Sequence, residues 1–255
     1  MKAFSRIFIL HFLIFCGFAF IWSLTSRFSG WNDQVFPGPL AVVASIWELL
    51  ANGTLIKHTI ASLFRVTAGF YLAIMLGIPL GMILGRSRTL MQAFNPLIQF
   101  MRPISPLAWI PLAMLWFGIG DLPAIFLIFL SSFFPLVVST TLAVSSINQT
   151  YYQVAANFNL TPWEIISKIT FPAMIPAVLT ALRITLGIAW LVVVAAEMIA
   201  VDSGLGYLIL DSRNALRMDY VMAGMVVVGL IGLALDVVMK WLGKSGAVFV
   251  GTSSH

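Results

Sequence analysis

Charge is scarce in this 255-residue chain: Asp, Glu, Lys and Arg make up 9% of it, where soluble domains average about 25%. Hydrophobic residues reach 60%. That balance excludes an ordinary soluble domain and points to an integral membrane protein of spans about 20 residues long. The net charge is +5, but the basic residues are scattered singly, which excludes a nucleic-acid-binding stripe. The single cysteine, Cys16, excludes an intrachain disulfide and reads as a small hydrophobe in an apolar run. The three histidines, His11, His58 and His255, lie too far apart for metal-ligand spacing, and no nucleophile–base constellation is visible. Low-complexity segments and repeats of 20–50 residues are also missing. The one phosphate-loop-like string, Gly243-Lys244-Ser245-Gly246, has Val238 where the first glycine of such a loop belongs, and no strand precedes it.

What the chain has in quantity is apolar runs. Six predicted spans cover roughly 7–25, 61–85, 97–118, 122–146, 173–200 and 220–242. In lipid such runs must be helical, because every backbone group needs an internal partner. The fold class is therefore all-α, a polytopic helix bundle forming a single domain. The N-terminal run exceeds a signal-peptide core and lacks a small-x-small cleavage site, so it reads as a retained span. With the N-terminus inside, the inner loops hold Lys2, Arg6, Arg86, Arg88, Arg102, Lys168, Lys240 and Lys244. The outer loops hold Arg27, Lys57, Arg213 and Arg217. This bias places both termini in the cytoplasm. Arg65 and Arg183 fall within or beside spans and are left out of that comparison.

The second span carries Gly69, Ala73, Gly77, Gly81 and Gly85 at four-residue intervals, a groove of small residues that lets another backbone approach. Whether that partner is in this chain or in a second copy is open. The third span is interrupted by Pro96, Pro103, Pro106 and Pro111, which reads as a kinked packing helix or as a pathway wall. Residues 39–51 form an amphipathic helix, placed at the outer interface, with Val42, Val43, Ile46, Leu49 and Leu50 on its apolar face. The outer loop before the sixth span also looks structured.

The segment QTYYQVAANFNLTPWEIISKITFP, residues 149–172, is the longest moderately polar stretch after residue 60 and falls on the cytoplasmic side. Residues 151–158 suit one helix, and Asn159 tolerates the left-handed turn that ends it. Thr161 and Glu164 form a capping box around Pro162 at the first helical position of the next helix. Pro172 marks the entry to the fifth span. Tyr151, Tyr152, Phe158 and Trp163 supply aromatic anchors, and the element reads as a docking surface or as a loop packed beneath its own bundle.

This stretch resembles the cytoplasmic coupling loop of ABC-importer permeases. Their pattern of Glu-Ala-Ala, a glycine and Ile-x-Leu-Pro aligns with Gln153-Val154-Ala155, Asn159 and Ile169-Thr170-Phe171-Pro172, with the spacing kept. Gln153 replaces the acid, Val154 the first alanine, Asn159 the glycine and Phe171 the leucine. The segments LAWIPLAMLWFGIG (107–120) and VVAAEMIAVDSGLGYLI (193–209) resemble permeases for nitrate, bicarbonate, taurine and aliphatic sulfonates. The resemblance implies the type I importer fold and cytoplasmic coupling helices at 149–170. It also implies a multi-pass permease of the bacterial inner membrane that binds no cofactor itself. ATP and Mg²⁺ would sit in partner ATPase subunits. A second permease copy, making a homodimer, and a periplasmic or lipid-anchored substrate-binding protein would complete the importer within the membrane lipid. The coupling residues implied are Tyr151, Gln153, Ala155, Asn159, Thr161, Trp163, Glu164 and Pro172.

Pathway or gate candidates are Pro103, Pro106, Trp109, Arg183 and Glu197, with Trp116, Trp190 and Ser131 as further wall residues. Glu197, near the outer end of the fifth span, needs a partner or water, and Arg213 and Arg217 are the expected partners. Arg183 would attract an anion or extend toward head groups. Asp236 and Lys240 form an i, i+4 pair. A secondary transporter acting without an ATPase would show internal symmetry and a mid-membrane coupling acid, and neither is visible. A membrane-embedded enzyme would need a catalytic cluster, which is also missing.

Overall fold

The apolar runs fold as helices in the computed structural model, which describes residues 2–28 and 35–249. The helices are α1 (Lys2–Phe28), α2 (Pro39–Ala51), α3 (Thr54–Arg86), α4 (Arg88–Met101), α5 (Ile110–Phe117), α6 (Asp121–Ser145), α7 (Gln149–Asn157), α8 (Pro162–Ile165), α9 (Phe171–Ala200), α10 (Leu205–Asn214) and α11 (Met218–Phe249). No strand occurs among the described residues. Four helices there are long and apolar enough to cross a membrane: Thr54–Arg86, Asp121–Ser145, Pro162–Ala200 and Met218–Gly243. The Gly243–Gly246 string lies inside α11, so no phosphate loop forms.

The glycine groove finds its partner within the chain. A Cβ added at Gly81 would stand 2.6 Å from Thr140 Cβ, and one at Gly85 would stand 2.7 Å from Val144 Cβ, both on α6. Gly69 is equally tight against Ile128, whereas a Cβ at Gly77 would meet only ordinary contact at 3.4 Å. The small residues thus set the α3–α6 separation, and the Thr141 hydroxyl donates across it to the Gly81 carbonyl. A second apolar cluster joins Val66, Trp190, Leu205 and Ala223 of α3, α9, α10 and α11, with Val42 and Leu49 of α2. Val43 and Leu50, also on the apolar face of α2, are exposed. The buried face instead includes Ser45, whose hydroxyl donates to Asp219 at 2.8 Å.

The third predicted span is not one helix. α4 ends at Met101, residues 102–105 turn, a 3₁₀ turn spans Pro106–Trp109, and α5 follows. Pro106 lacks an N–H and forces Ser105 out of the helical region, to ψ 128°. The result is a full break rather than a kink, and α4 and α5 lie against different parts of α6.

Candidate functional site

The connecting element between α6 and α9 is built from local signals. The Asn148 side chain caps α7, accepting from the Thr150 N–H at 2.9 Å. Asn159 adopts φ 51°, the left-handed turn that Asn enters at little cost. Its N–H and that of Leu160 return to the Ala156 and Ala155 carbonyls. The capping box is complete: Thr161 N–H donates to Glu164 Oε2 at 3.0 Å, and Glu164 N–H donates to Thr161 Oγ1 at 3.3 Å.

α8 does not form a separate second helix. It runs through a π-helical turn at Ile166–Thr170 into α9 without a break, giving 39 residues from Pro162 to Ala200. Pro172 explains the wide turn, because its missing N–H leaves a carbonyl of the preceding turn to re-pair. At 1.5 Å per residue the rod is about 58 Å long, nearly twice a ~30 Å hydrocarbon core. The first turns therefore project beyond the spanning part of the rod. There the Lys168 ammonium, 2.8 Å from Glu164, and the Thr161 N–H and hydroxyl hold the Glu164 carboxyl down at about 2.

The element is tied to the bundle on one side and open on the other. Ala155 is buried, Tyr152 Oη approaches Thr170 Oγ1 at 3.4 Å, and the Arg86 guanidinium lies 4.1 Å over the Tyr152 ring. Tyr151, Gln153, Val154, Phe158 and Trp163 face outward, and three of these exposed side chains, Tyr151, Phe158 and Trp163, are aromatic.

A second feature is a cavity of about 410 Å³ beside the α4–α5 break. Arg102, Pro106, Trp109, Ser131, Ser139 and Thr185 are among its lining residues. Of the expected pathway residues, Pro106 and Trp109 line it; Pro103, Arg183 and Glu197 do not. Trp190 is also elsewhere, buried and donating its indole N–H to the Val228 carbonyl at 3.0 Å. Trp116 packs in an aromatic group with Trp109, Phe117 and Phe126. Arg183 pairs with Asp236 of α11, which also holds Lys240 at 2.8 Å.

The partner of Glu197 is neither Arg213 nor Arg217 but Arg65 of α3, at 2.8 Å. Both side chains are almost wholly buried, Arg65 at 1% and Glu197 at 0% exposure. Arg65 also reaches Asp121 at 2.7 Å and the Ser203 carbonyl at 2.7 Å. Around it, three backbone N–H groups at the start of α10 find side-chain acceptors. Gly204 donates to His58 Nδ1 at 2.9 Å, Leu205 to Ser62 Oγ at 2.9 Å and Gly206 to Glu197 Oε2 at 3.0 Å. These are the donors a helix start leaves without an intrahelical partner, and a carboxylate there is favoured by the helix dipole. Gly204, at φ 104°, sits so close to the Glu197 carboxylate that no side chain fits. Glu197 thus anchors the start of α10.

Residues 77–245 match the family described as binding-protein-dependent transport system inner membrane component. The chain belongs to that family. Among its relatives, a putative ABC transporter permease of Methanocaldococcus jannaschii is 40% identical to this permease, over 87% of this chain and 85% of the relative. The nitrate import permease NrtB of Synechococcus elongatus is 36% identical over 89% and 85%. The taurine transport system permease TauC of Escherichia coli is 36% identical over 75% and 70%. In fold, the permease resembles a chain of the inward-facing MetNI methionine ABC transporter, with TM-score 0.65, 15% identity and coverage of 82% and 97%. It also resembles a chain of a bacterial ABC transporter that imports the acidic polysaccharide alginate, with TM-score 0.65, 16% identity and coverage of 96% and 94%. The permease is therefore a transport subunit of an ABC importer with the type I permease fold, and its family is one of transport rather than of enzymes.

Proposed function

We propose that this permease pairs with a second copy of itself and forms the alternating-access pathway of an importer for a small anion. Nitrate, bicarbonate and the sulfonate group of taurine, the substrates named for its relatives, set the class. Two ATPase subunits bind beneath it and supply the ATP and Mg²⁺ chemistry. A substrate-binding protein, periplasmic or lipid-anchored, delivers substrate from above.

The observation that carries this reading is the connecting element: an exposed aromatic surface joined through a capped turn to an unbroken rod that enters the membrane. Tyr151, Gln153 and Trp163 would contact the ATPase. Ala155, Asn159, Thr161, Glu164 and Pro172 would hold the element rigid, so that ATPase closure moves α9 as a lever. Setting Arg102 apart leaves seven inner basic residues against four outer ones. That bias favours cytoplasmic termini, and the family's description as an inner membrane component supports a bacterial inner-membrane location. Affinity purification of the tagged permease tests the assembly. An ATPase subunit is expected in stoichiometric yield, and a permease that transports with none attached would overturn the reading.

A further inference from the structure

Arg102 occupies a position that its sequence neighbourhood conceals. The sequence groups it with the cytoplasmic basic residues, yet it lines the cavity together with Ser131 and Ser139 of α6 and Thr185 of α9. Helix register gives the depth. Ser131 is ten residues from the start of α6, about 15 Å along the axis, and Thr185 is fourteen residues from one end of α9 and fifteen from the other. The cavity therefore runs from the middle of the spanning helices to Ser139, six residues from the end of α6, and Arg102, whose side chain is exposed, lines it. An ionisable side chain lining such a cavity is costly unless it is paired or meets a charged ligand.

Arg65, Arg183 and Arg217 all meet carboxylates, whereas Arg102 has no ion pair among the described residues. Nor does any carboxylate line the cavity among those residues. The other polar groups present are donors. Thr185 is 2% exposed, and neither its hydroxyl nor that of Ser139 has a hydrogen-bond partner among the described residues. The Ser131 hydroxyl donates only to the Ile128 carbonyl of its own helix, at 2.8 Å, and can turn outward. Trp109 adds an indole N–H. A lining with one free guanidinium, several hydroxyls and no acid selects against cations and suits a planar or tetrahedral oxyanion, which a guanidinium grips with two parallel hydrogen bonds.

We propose that Arg102, with Ser139 and Thr185, is the anion-recognition station of the permease itself, acting on the substrate after the binding protein releases it. The proposal rests on the anion-import reading and adds that charge selection is repeated inside the membrane. α4 and α5 are separated at this point, so Arg102 is carried by a turn rather than by a continuous helix. As the C-cap of α4 it keeps helical backbone angles and donates its N–H to the Ile98 carbonyl at 3.0 Å, so the last turn of α4 fixes its place at the cavity.

The test uses the whole importer, permease with its ATPase and binding protein, in proteoliposomes. Uptake of labelled nitrate, bicarbonate and taurine is measured beside ATP hydrolysis for the unaltered chain and for Arg102→Gln, Arg102→Lys and Thr185→Val. For whichever anion the unaltered importer carries, Arg102→Gln is expected to cut uptake by about 10- to 100-fold, the worth of one charge-assisted hydrogen bond. Binding-protein-stimulated ATP hydrolysis should persist. Arg102→Lys should recover part of the uptake, and Thr185→Val should lose about fivefold or more. Unchanged uptake in Arg102→Gln overturns the station and leaves the anion reading standing. An unaltered importer that carries none of the three anions overturns both. If uptake and ATP hydrolysis fall together in Arg102→Gln and Arg102→Lys, with Thr185→Val unchanged, Arg102 is structural and the proposal fails.

Discussion

Replacing Arg65 with alanine isolates the buried charge network at the start of α10. The side chain is 1% exposed and meets the Glu197 carboxylate at 2.8 Å, Asp121 at 2.7 Å and the Ser203 carbonyl at 2.7 Å. Its removal leaves Glu197 buried with only the Ser62 hydroxyl and the Gly206 N–H as donors. Breaking a buried pair by removing one partner costs about 3–5 kcal/mol, because a charge stays uncompensated. At about 2–4 °C per kcal/mol for a chain of this size, the melting temperature should fall by roughly 6–20 °C. The assay is a thermal melt of the purified permease in lipid nanodiscs. Arg65→Lys should fall between the two, since an ammonium keeps the charge and loses the fork. Combining Arg65→Ala with Glu197→Gln should cost less than the sum of the single changes by about 0.5–3 kcal/mol, as expected of coupled partners. A melt for Arg65→Ala within 2 °C of the unaltered chain would refute the reasoning, and strictly additive variants would refute the pairing.

Three further outcomes follow from the geometry. Gly81→Leu should destabilise the α3–α6 packing by about 1–3 kcal/mol or more, while Gly77→Ala should leave the melt unchanged, because only the first position is in tight contact. Asn159→Val should strain the φ 51° turn by about 1–2 kcal/mol and Asn159→Gly should be tolerated, read as loss and retention of transport-coupled ATP hydrolysis. The Glu164 carboxyl is held down, so its cap is intact above pH 4.5 and is lost as pH falls toward about 2. Hydrogen exchange at the Thr161 amide should show protection at neutral pH that disappears across that window, and protection persisting below it would contradict the assignment.

The sequence was most informative where the physics is local. Asn159 and the Thr161–Glu164 box act within one or two turns, and both take the predicted form. Asn148 is a cap of the same kind, and it starts α7 at Gln149, two residues before the predicted start at Tyr151. The merger of α8 with α9 was less legible, since a capping box reports where a helix begins and not where it ends. The Pro106 break was readable at the level of backbone geometry, yet hydropathy averaged over the run hid it. Arg102 lies five residues inside a predicted span although its charge is assigned to a loop, and that inconsistency is the available signal. The Arg65–Glu197 pair joins residues 132 apart, so the identity of the partner depended on the tertiary fold. What the sequence did offer was the demand for a partner: an arginine and a glutamate, each inside a span, both require one.

The central claim is that the α7–α8 element transmits ATP-driven motion to the pathway. The most direct measurement is substrate uptake per ATP hydrolysed in proteoliposomes containing the complete importer, comparing the unaltered permease with Tyr151→Ala, Asn159→Val and Trp163→Ala. The expected result is that ATP hydrolysis loses its dependence on the binding protein and uptake collapses, while the permease melt is unchanged in Tyr151→Ala and Trp163→Ala, whose side chains are exposed. Normal uptake per ATP in all three variants would contradict the claim.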